Sequence, residues 1–343
     1  MKWIVMFGVL FLNTFASAES MKSRGKAFNP DIGVNVLFLG QSSERDRSED
    51  GMALQEAELQ LSSDVDAYLR AKVLLAIEKE AGEFGIEPEE AFVESLQIPG
   101  VTLKVGKSKM PLGKHNQLHT HAYPFINAPL QNVAILGDEG FSEVGVGFSG
   151  LMPLPWYSEV SLEYVQGENA DLFNPAERNQ KVYVTHFKNL WEWSDSATFE
   201  LGLSGAVGKN DSDEITDLYG ADVTFKWRPI EGGKYTSFEW GAEYLGKNRR
   251  GVADNELSGV VSYLKYQMAE RWWVQYRYDH LGIVDSTGAE PTYRHTALLG
   301  FVPTEFQAVR LQYESLDDNQ AEKENRLSLQ LNISIGAHPA HAY

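Results

Sequence analysis

The chain has 343 residues, of which 48 are acidic and 30 are basic, so its formal net charge is −18 at pH 7. An acidic balance of this size argues against nucleic-acid binding. There is no cysteine, so disulfides cannot stabilise the fold. Beyond the N-terminal residues, no stretch approaches the ~18 consecutive apolar residues of a transmembrane helix.

The first residues have the pattern of a secretory signal peptide. Lys2 precedes an apolar run from Trp3 to Leu12, and Ala16-Ser17-Ala18 forms a small-x-small cleavage site. The run is too short to anchor the chain as a membrane span. We therefore predict a signal peptide over residues 1–18 and a single mature domain over residues 19–343.

Alternation of apolar and polar residues begins at Ile32 and predicts β-strands. It is clearest in Ala53–Ser63 and in the strand after the SSDVD turn, where Ala67, Leu69, Ala71, Val73, Leu75 and Ile77 share one face. A long acidic loop is predicted from Glu78 to Pro88. A hairpin that turns at Pro99-Gly100 follows it.

The alternation stops between Ser108 and Glu139. This segment contains three prolines and three of the chain's eight histidines. An irregular segment of such length inside a compact domain is usually functional or marks mis-assigned elements.

Alternation resumes at Ser142 and continues to the last strand, where Leu327, Leu329, Leu331, Ile333 and Ile335 alternate with polar residues. The connections between strands are alternately long and short, as are the extracellular loops and periplasmic turns of outer-membrane barrels. A soluble β-sandwich would bury the polar face unpaired. We therefore predict an all-β, transmembrane antiparallel β-barrel of about 16 strands (range ~14–18) in the bacterial outer membrane.

Aromatic residues near the short turns predict an interfacial girdle. They are Tyr157, Trp191, Trp193, Trp227, Tyr235, Trp272 and Trp273. Strands are rich in aromatic residues in any case, so this cue is secondary to the alternation.

The hairpin FVESLQIPGVTLKVGK and the loop QLHTHAYPF resemble a proteobacterial family of outer-membrane porin-like barrels with a Q-H-x-H-A-W-D-F loop. Tyr123 and Pro124 stand where that family tends to have Trp and Asp. Its members are sometimes described as linked to zinc and as TonB-dependent receptors, although the sequence shows no plug domain. Phosphate-selective porins are more distant relatives, whose basic lumen is not reproduced here.

The strand count places the irregular segment between strands five and six. In general porins this connection folds into the barrel, so the resemblance implies a constriction formed by residues 108–139. The alternative is an extracellular loop that lies across the mouth.

Candidate pore or constriction residues are polar and lie in this loop or on the predicted inner face. They are Lys114, His115, His119, His121, Glu56, Glu58, Arg70, Lys72, Glu159, Glu163, Glu239 and Glu243; Glu200, Lys104, Arg277 and Arg310 share the inner face. Rings of carboxylates favour cations, which predicts a weak cation preference. Two alternative roles for the charged residues remain open. The acidic residues could lie mainly on the extracellular loops and make them soluble, or the charges across the lumen could form salt bridges that keep the barrel closed.

His119 and His121 are candidate metal ligands, because imidazole suits zinc, copper and nickel. Zinc sites supply three or four protein ligands, and the sequence identifies no further ligand. Loop histidines that pack against Tyr123 and Phe125 are the alternative. No cofactor other than this candidate zinc is expected.

The sequence shows no catalytic motif, and we predict a passive porin for small hydrophilic solutes or ions. A zinc-binding receptor or uptake barrel is the alternative function. Expected partners are outer-membrane lipid and lipopolysaccharide, the barrel-assembly machinery and the solutes themselves, with a homotrimer as a candidate assembly and no nucleic acid.

Overall fold

The computed structural model describes residues 30–336 apart from 46, 49, 81–82, 176–179, 253–254 and 320–322. The described residues form 16 antiparallel strands in a closed barrel, which confirms the predicted fold class. Strands β1 to β16 cover, in order, Asp31–Ser43, Gly51–Asp64, Leu69–Glu80, Glu83–Ser95, Val101–Lys109, Ser142–Leu151, Tyr157–Val165, Val182–Ser194, Ala197–Lys209, Ile215–Trp227, Ser237–Arg249, Glu256–Ala269, Trp272–Asp285, Thr292–Thr304, Gln307–Asp317 and Glu324–Gly336. The predicted signal peptide lies outside the described residues and stays a prediction.

The barrel closes between its first and last strands. β1 pairs with β2 on one side and with β16 on the other, and Val36 lies opposite Ile333 in the closing pair. Every strand therefore has two neighbours. Closure leaves no open sheet edge, which a bilayer requires because lipid cannot hydrogen-bond to the backbone.

The two faces of the barrel differ as the alternation predicts. In β16, Leu327 and Leu329 are 50% and 53% exposed, whereas Ser328 and Gln330, which alternate with them, are 2% and 0% exposed. This arrangement, with apolar residues outside and polar residues inside, is the reverse of the distribution in a soluble domain. Such a surface matches lipid around the barrel and a polar lumen within it, as in the bacterial outer membrane.

Aromatic side chains on the outer face form two groups. Trp193, Trp227 and Trp272 are exposed near the short turns, and the ring pairs Tyr164–Tyr183, Tyr219–Tyr244 and Tyr278–Tyr293 lie nearer the long connections. The prediction was wrong for Trp273, which is only 8% exposed and faces the lumen. Consecutive residues of a strand point to opposite faces, so Trp272 and Trp273 cannot both face lipid.

The predicted long loop from Glu78 to Pro88 is also wrong. β3 continues to Glu80, β4 starts at Glu83, and Glu78 pairs with Gly85. Phe84 and Ile86 are exposed on β4, so the alternation continues through an acidic stretch whose composition resembles that of a loop.

The irregular segment connects β5 to β6 and covers residues 110–141. It contains 3₁₀ turns at His115–Gln117 and Thr120–Ala122 and one short helix, α1, at Leu130–Leu136. No helix in the described part of the chain has the length and apolarity needed to span a bilayer. We call residues 110–141 the inner loop.

The membrane position of the outer face can be tested on β16. We expect Leu329→Arg, near the middle of the strand, to lower the free energy of unfolding by about 2–4 kcal/mol, because it places a charge near the bilayer midplane. Ile335→Arg, near the strand end, should cost only about 0–1 kcal/mol. Equilibrium refolding into lipid vesicles measures both, and equal costs would contradict this placement.

Candidate functional site: the inner loop and the lumen wall

Apolar contacts hold the inner loop against the wall at two places. On one side, loop residues pack with inward side chains of β7 to β11 and with the connection between β7 and β8. The buried cluster consists of Met110, Leu112, Ile135, Leu136, Phe141, Val165, Leu172, Phe173, Val182, Val184, Ala206, Leu218 and Leu245. On another, Phe125 and Ile126 pack with Leu298 of β14. The segment thus packs against inward-facing residues of the wall, and its role as a constriction stays a prediction.

Three arginines on adjacent strands donate to backbone carbonyls of the inner loop. Arg277 of β13 donates to Asn127 O at 2.7 Å, Arg294 of β14 to Ala128 O at 2.6 Å, and Arg310 of β15 to Tyr123 O at 2.6 Å. We call them the arginine row. Arg277 and Arg310 are predicted inner-face residues, whereas Arg294 was not predicted, and its inward position in an alternating strand is its only signal in the sequence.

Asp279 forms ion pairs with two members of the arginine row. Its Oδ2 lies 2.9 Å from Nε of Arg277 and 3.1 Å from Nε of Arg294, and its Oδ1 accepts a bond from Leu130 N at the start of α1. Asp279 is 0% exposed and Arg277 is 1% exposed. A buried charge of this kind is tolerated when it is paired and fully hydrogen-bonded.

Glu243, a predicted pore residue, instead anchors the loop. It is buried and accepts bonds from the backbone N–H groups of Lys114 and His115 at 2.6 and 2.8 Å. Gly113 has φ +67°, and a Cβ there would lie 2.7 Å from Glu243 Cδ, so glycine permits this approach. Lys114 Nζ extends to Glu200 at 2.9 Å and to Thr224 Oγ1 at 2.7 Å.

His119 bridges the inner loop to β4. Its Nδ1 lies 3.0 Å from Glu89 and its Nε2 lies 3.2 Å from Glu90. Burial alone would lower the pKa of His119, but the bonds to both carboxylates raise it to about 9. We call this contact the His119 bridge.

Two consecutive residues of β4 reach His119 because the strand contains a bulge. Leu74 of β3 pairs with Glu90, but Leu75 pairs with Pro88, so Glu89 is the extra residue. A bulge redirects a side chain, and proline is tolerated at such a position. The contact therefore depends on a local irregularity that alternation does not predict.

His121 lies beside His119 but contacts a different strand. The two rings are parallel with centroids 6.0 Å apart, and Nδ1 of His121 contacts Oε2 of Glu58 on β2. Burial, followed by the charge of His119, lowers the pKa of His121 to about 3. Its imidazole is therefore neutral at pH 7.

His115 does not join this pair. Its ring packs against Tyr123 with centroids 4.4 Å apart, as the alternative to metal binding supposed for the loop histidines. Burial, with a further contribution from Arg277, lowers the pKa of His115 to about 3.

The other predicted residues fall into two sets. Glu56, Glu58 and Lys72 lie on the same wall as the two histidines, and Lys72 pairs with Glu90 at 2.6 Å. The second set lies elsewhere: Arg70 forms an exposed pair with Asp64 near a short turn, Glu159 accepts from Tyr157, Glu163 lies opposite Gly147, and Glu239 accepts from Tyr263 and pairs with Lys226.

The inner loop leaves cavities on both sides of the His119 bridge. One, of about 280 Å³, lies toward the long connections and is lined by Glu87, Glu89, Glu139 and Glu168 with Lys107 and Lys109. The other, of about 380 Å³, lies toward the short turns and is lined by His119, Lys72, Lys226, Lys265 and Arg310 with Glu239. We call them the mouth cavity and the vestibule. Glu89 lines the first and its partner His119 the second, so the bridge separates them.

No protein-family model matches the chain. A protein of Aquifex aeolicus (strain VF5), described as uncharacterized, is 27% identical over 338 residues, which cover 85% of this chain and 70% of that protein. Among solved structures, OprB of Pseudomonas putida is similar with a TM-score of 0.64 at 9% identity over 91% of this chain and 95% of that one.

Two further structures have similar folds. The anion-selective porin of Comamonas acidovorans has a TM-score of 0.62 at 12% identity and covers 90% of this chain and 99% of its own. The outer membrane channel DcaP of Acinetobacter baumannii has a TM-score of 0.59 at 11% identity and covers 92% and 99%. These likenesses show a porin-like barrel fold, whereas the resemblance through the Q-H-x-H-A-W-D-F loop stays a prediction.

The arginine row can be tested at its most buried member. We expect Arg277→Ala to lower the free energy of unfolding by about 3–5 kcal/mol, because it leaves Asp279 partly unpaired at a buried site. It should also expose the inner loop to limited proteolysis after Lys114. Arg250→Ala is the matched control: it removes an exposed pair with Asp217, worth about 0–1 kcal/mol. If both variants resist protease equally, the row does not hold the loop.

Proposed function

We propose that this protein is a passive outer-membrane channel for small hydrophilic solutes or ions. One observation carries the proposal: the inner loop narrows the barrel but leaves a cavity on each side of the His119 bridge, the mouth cavity against β4 to β6 and the vestibule mainly against β10 to β15. The route would therefore pass the bridge. The fold is similar to that of the Comamonas acidovorans porin and of the outer membrane channel DcaP, and this similarity supports the proposal.

The charges along this route change sign. In the mouth cavity, acidic residues outnumber the two lysines, and Glu87, Glu139 and Glu168 are exposed. The vestibule carries mostly cationic side chains, partly paired with carboxylates: Lys72 with Glu90 and Lys226 with Glu239. An acidic entrance concentrates cations, and opposite charge further in counteracts it. We accordingly propose a weak cation preference.

A homotrimer remains part of the proposal. One solved structure of similar fold, OmpT of Vibrio cholerae, is described as a trimer form, with a TM-score of 0.58 at 9% identity over 90% of this chain and 99% of that one. The zinc-uptake receptor considered from the sequence gains no support from the comparisons, and we do not propose it.

Conductance tests the route. The protein refolded in a planar bilayer should show discrete current steps, and the double variant His119→Ala, Glu89→Ala should show larger ones because it removes the partition between the cavities. Lys209→Ala, which removes only an exposed pair with Asp213, should match the wild type. A correctly folded barrel without current steps in either form would overturn the channel.

Reversal potentials in a salt gradient test the selectivity. Neutralising Glu87, Glu139 and Glu168 to glutamine should shift the selectivity toward anions, whereas Lys226→Gln with Lys265→Gln should shift it toward cations. Both shifts should fade in 1 M salt, where the Debye length falls to about 3 Å. Shifts of the same sign in the two variants would contradict the proposed division of charge.

A further inference from the structure

A group of buried carboxylates and imidazoles surrounds one point on the lumen wall. Glu56 and Glu58 are 5% and 2% exposed, and His121, which contacts Glu58, is 7% exposed. Ligand atoms of these three residues lie within 4.8 Å of one another. Glu58, Glu89 and His119 form a second set with the same spacing, so Glu58 belongs to both.

Glu56 has hydrogen bonds with Glu58 and Thr120, but other oxygens of the two buried carboxylates lack a donor among the described residues. Oε1 of Glu56 and Oε1 of Glu58 have no hydrogen-bond partner in the described structure, and Oε2 of Glu58 faces Nδ1 of His121. The nearby lysines pair with other carboxylates: Lys72 lies 2.6 Å from Glu90 and Lys109 lies 3.7 Å from Glu89. A buried carboxylate without a partner is unfavourable, so the group needs either a proton or a cation.

The donor set distinguishes among cations. Calcium takes six to eight oxygen ligands and magnesium keeps most of its water, whereas an imidazole nitrogen with carboxylate oxygens suits Zn²⁺ and related divalent ions. Copper(I) prefers sulfur ligands, and these two sets contain none. Three protein ligands would leave a coordination position open, as in zinc sites that exchange ligands.

We propose that Glu56, Glu58 and His121 bind a divalent transition-metal cation of the zinc class inside the barrel. Glu89 and His119 flank this site through the shared Glu58. His121 lines the vestibule and the flanking Glu89 lines the mouth cavity, so an ion in either cavity lies next to the site. The inference goes beyond the channel function and does not depend on it.

Direct binding tests the site without measuring current. The folded full-length barrel is stripped with EDTA in detergent, exchanged into metal-free buffer and titrated with Zn²⁺ against a chromophoric chelator. We expect one tight site in the wild type. Glu58→Gln and His121→Ala should each weaken it by more than about 10-fold, since altering even outer-shell partners costs about 10–100-fold. X-ray absorption at the zinc edge should show imidazole and oxygen ligands.

The control is His186→Ala, which removes another buried histidine outside both sets of ligands and should bind Zn²⁺ like the wild type. Heat-modifiable migration in gels verifies folding, and the near-isosteric Glu56→Gln provides a second ligand variant if Glu58→Gln fails to fold. Wild-type protein that binds no Zn²⁺, or binds Mg²⁺ and Ca²⁺ equally well, overturns the proposal. Equal Zn²⁺ affinity in the ligand variants and the wild type also overturns it. Wild-type protein that binds no Zn²⁺ would indicate that protons neutralise the carboxylates.

Discussion

An irregular backbone inside a membrane barrel must have its polar groups satisfied by the surrounding wall. The inner loop meets this constraint with side chains from many strands. Arginines on β13 to β15 donate to its carbonyls, while Glu243 and Asp279 accept from its N–H groups. These five buried wall charges therefore satisfy the loop backbone, and three of them, Glu243, Arg277 and Arg310, are residues that the sequence predicted on the inner face.

This support is asymmetric, and the asymmetry determines where space remains. Apolar packing fills the barrel near β8 to β11, and the arginine row holds the loop at β13 to β15. At β2 and β4 the loop contacts the wall through the ion pairs of His121 and His119. The mouth cavity lies against β4 to β6, and the vestibule lies mainly against β10 to β15. The His119 bridge lies between the two cavities, so the proposed solute route passes close to the proposed metal site.

The proposed metal site and the proposed solute route lie close enough for a bound ion to affect passage. Glu89 contacts His119 in the bridge and also belongs to a candidate ligand set that includes Glu58. A bound divalent cation would add positive charge beside a passage that already has lysines on its vestibule side. Occupancy of the metal site would then oppose cation entry and favour anions, through the local electrostatic field.

Sequence reasoning located the inner loop, its two candidate ligands His119 and His121, and two of their later partners, Glu56 and Glu58, as inward residues of β2. It did not bring these four together. It also missed Glu89, because only the bulge in β4 turns that side chain into the lumen. Glu243 was identified as an inward carboxylate, but its bonds to Lys114 and His115 depend on the path of the loop.

The sequence by itself determined the barrel, a strand number of about 16 and the face of most alternating residues, because alternation is a local property of an extended chain. Strand ends such as Glu80 and Glu83 were not predicted, since backbone pairing continues through an acidic stretch that resembles a loop in composition. Only the tertiary structure decided that the inner loop lies against these particular strands and that its histidines meet β2 and β4. That outcome depends on the sum of contacts between segments far apart in the chain, which no local pattern records.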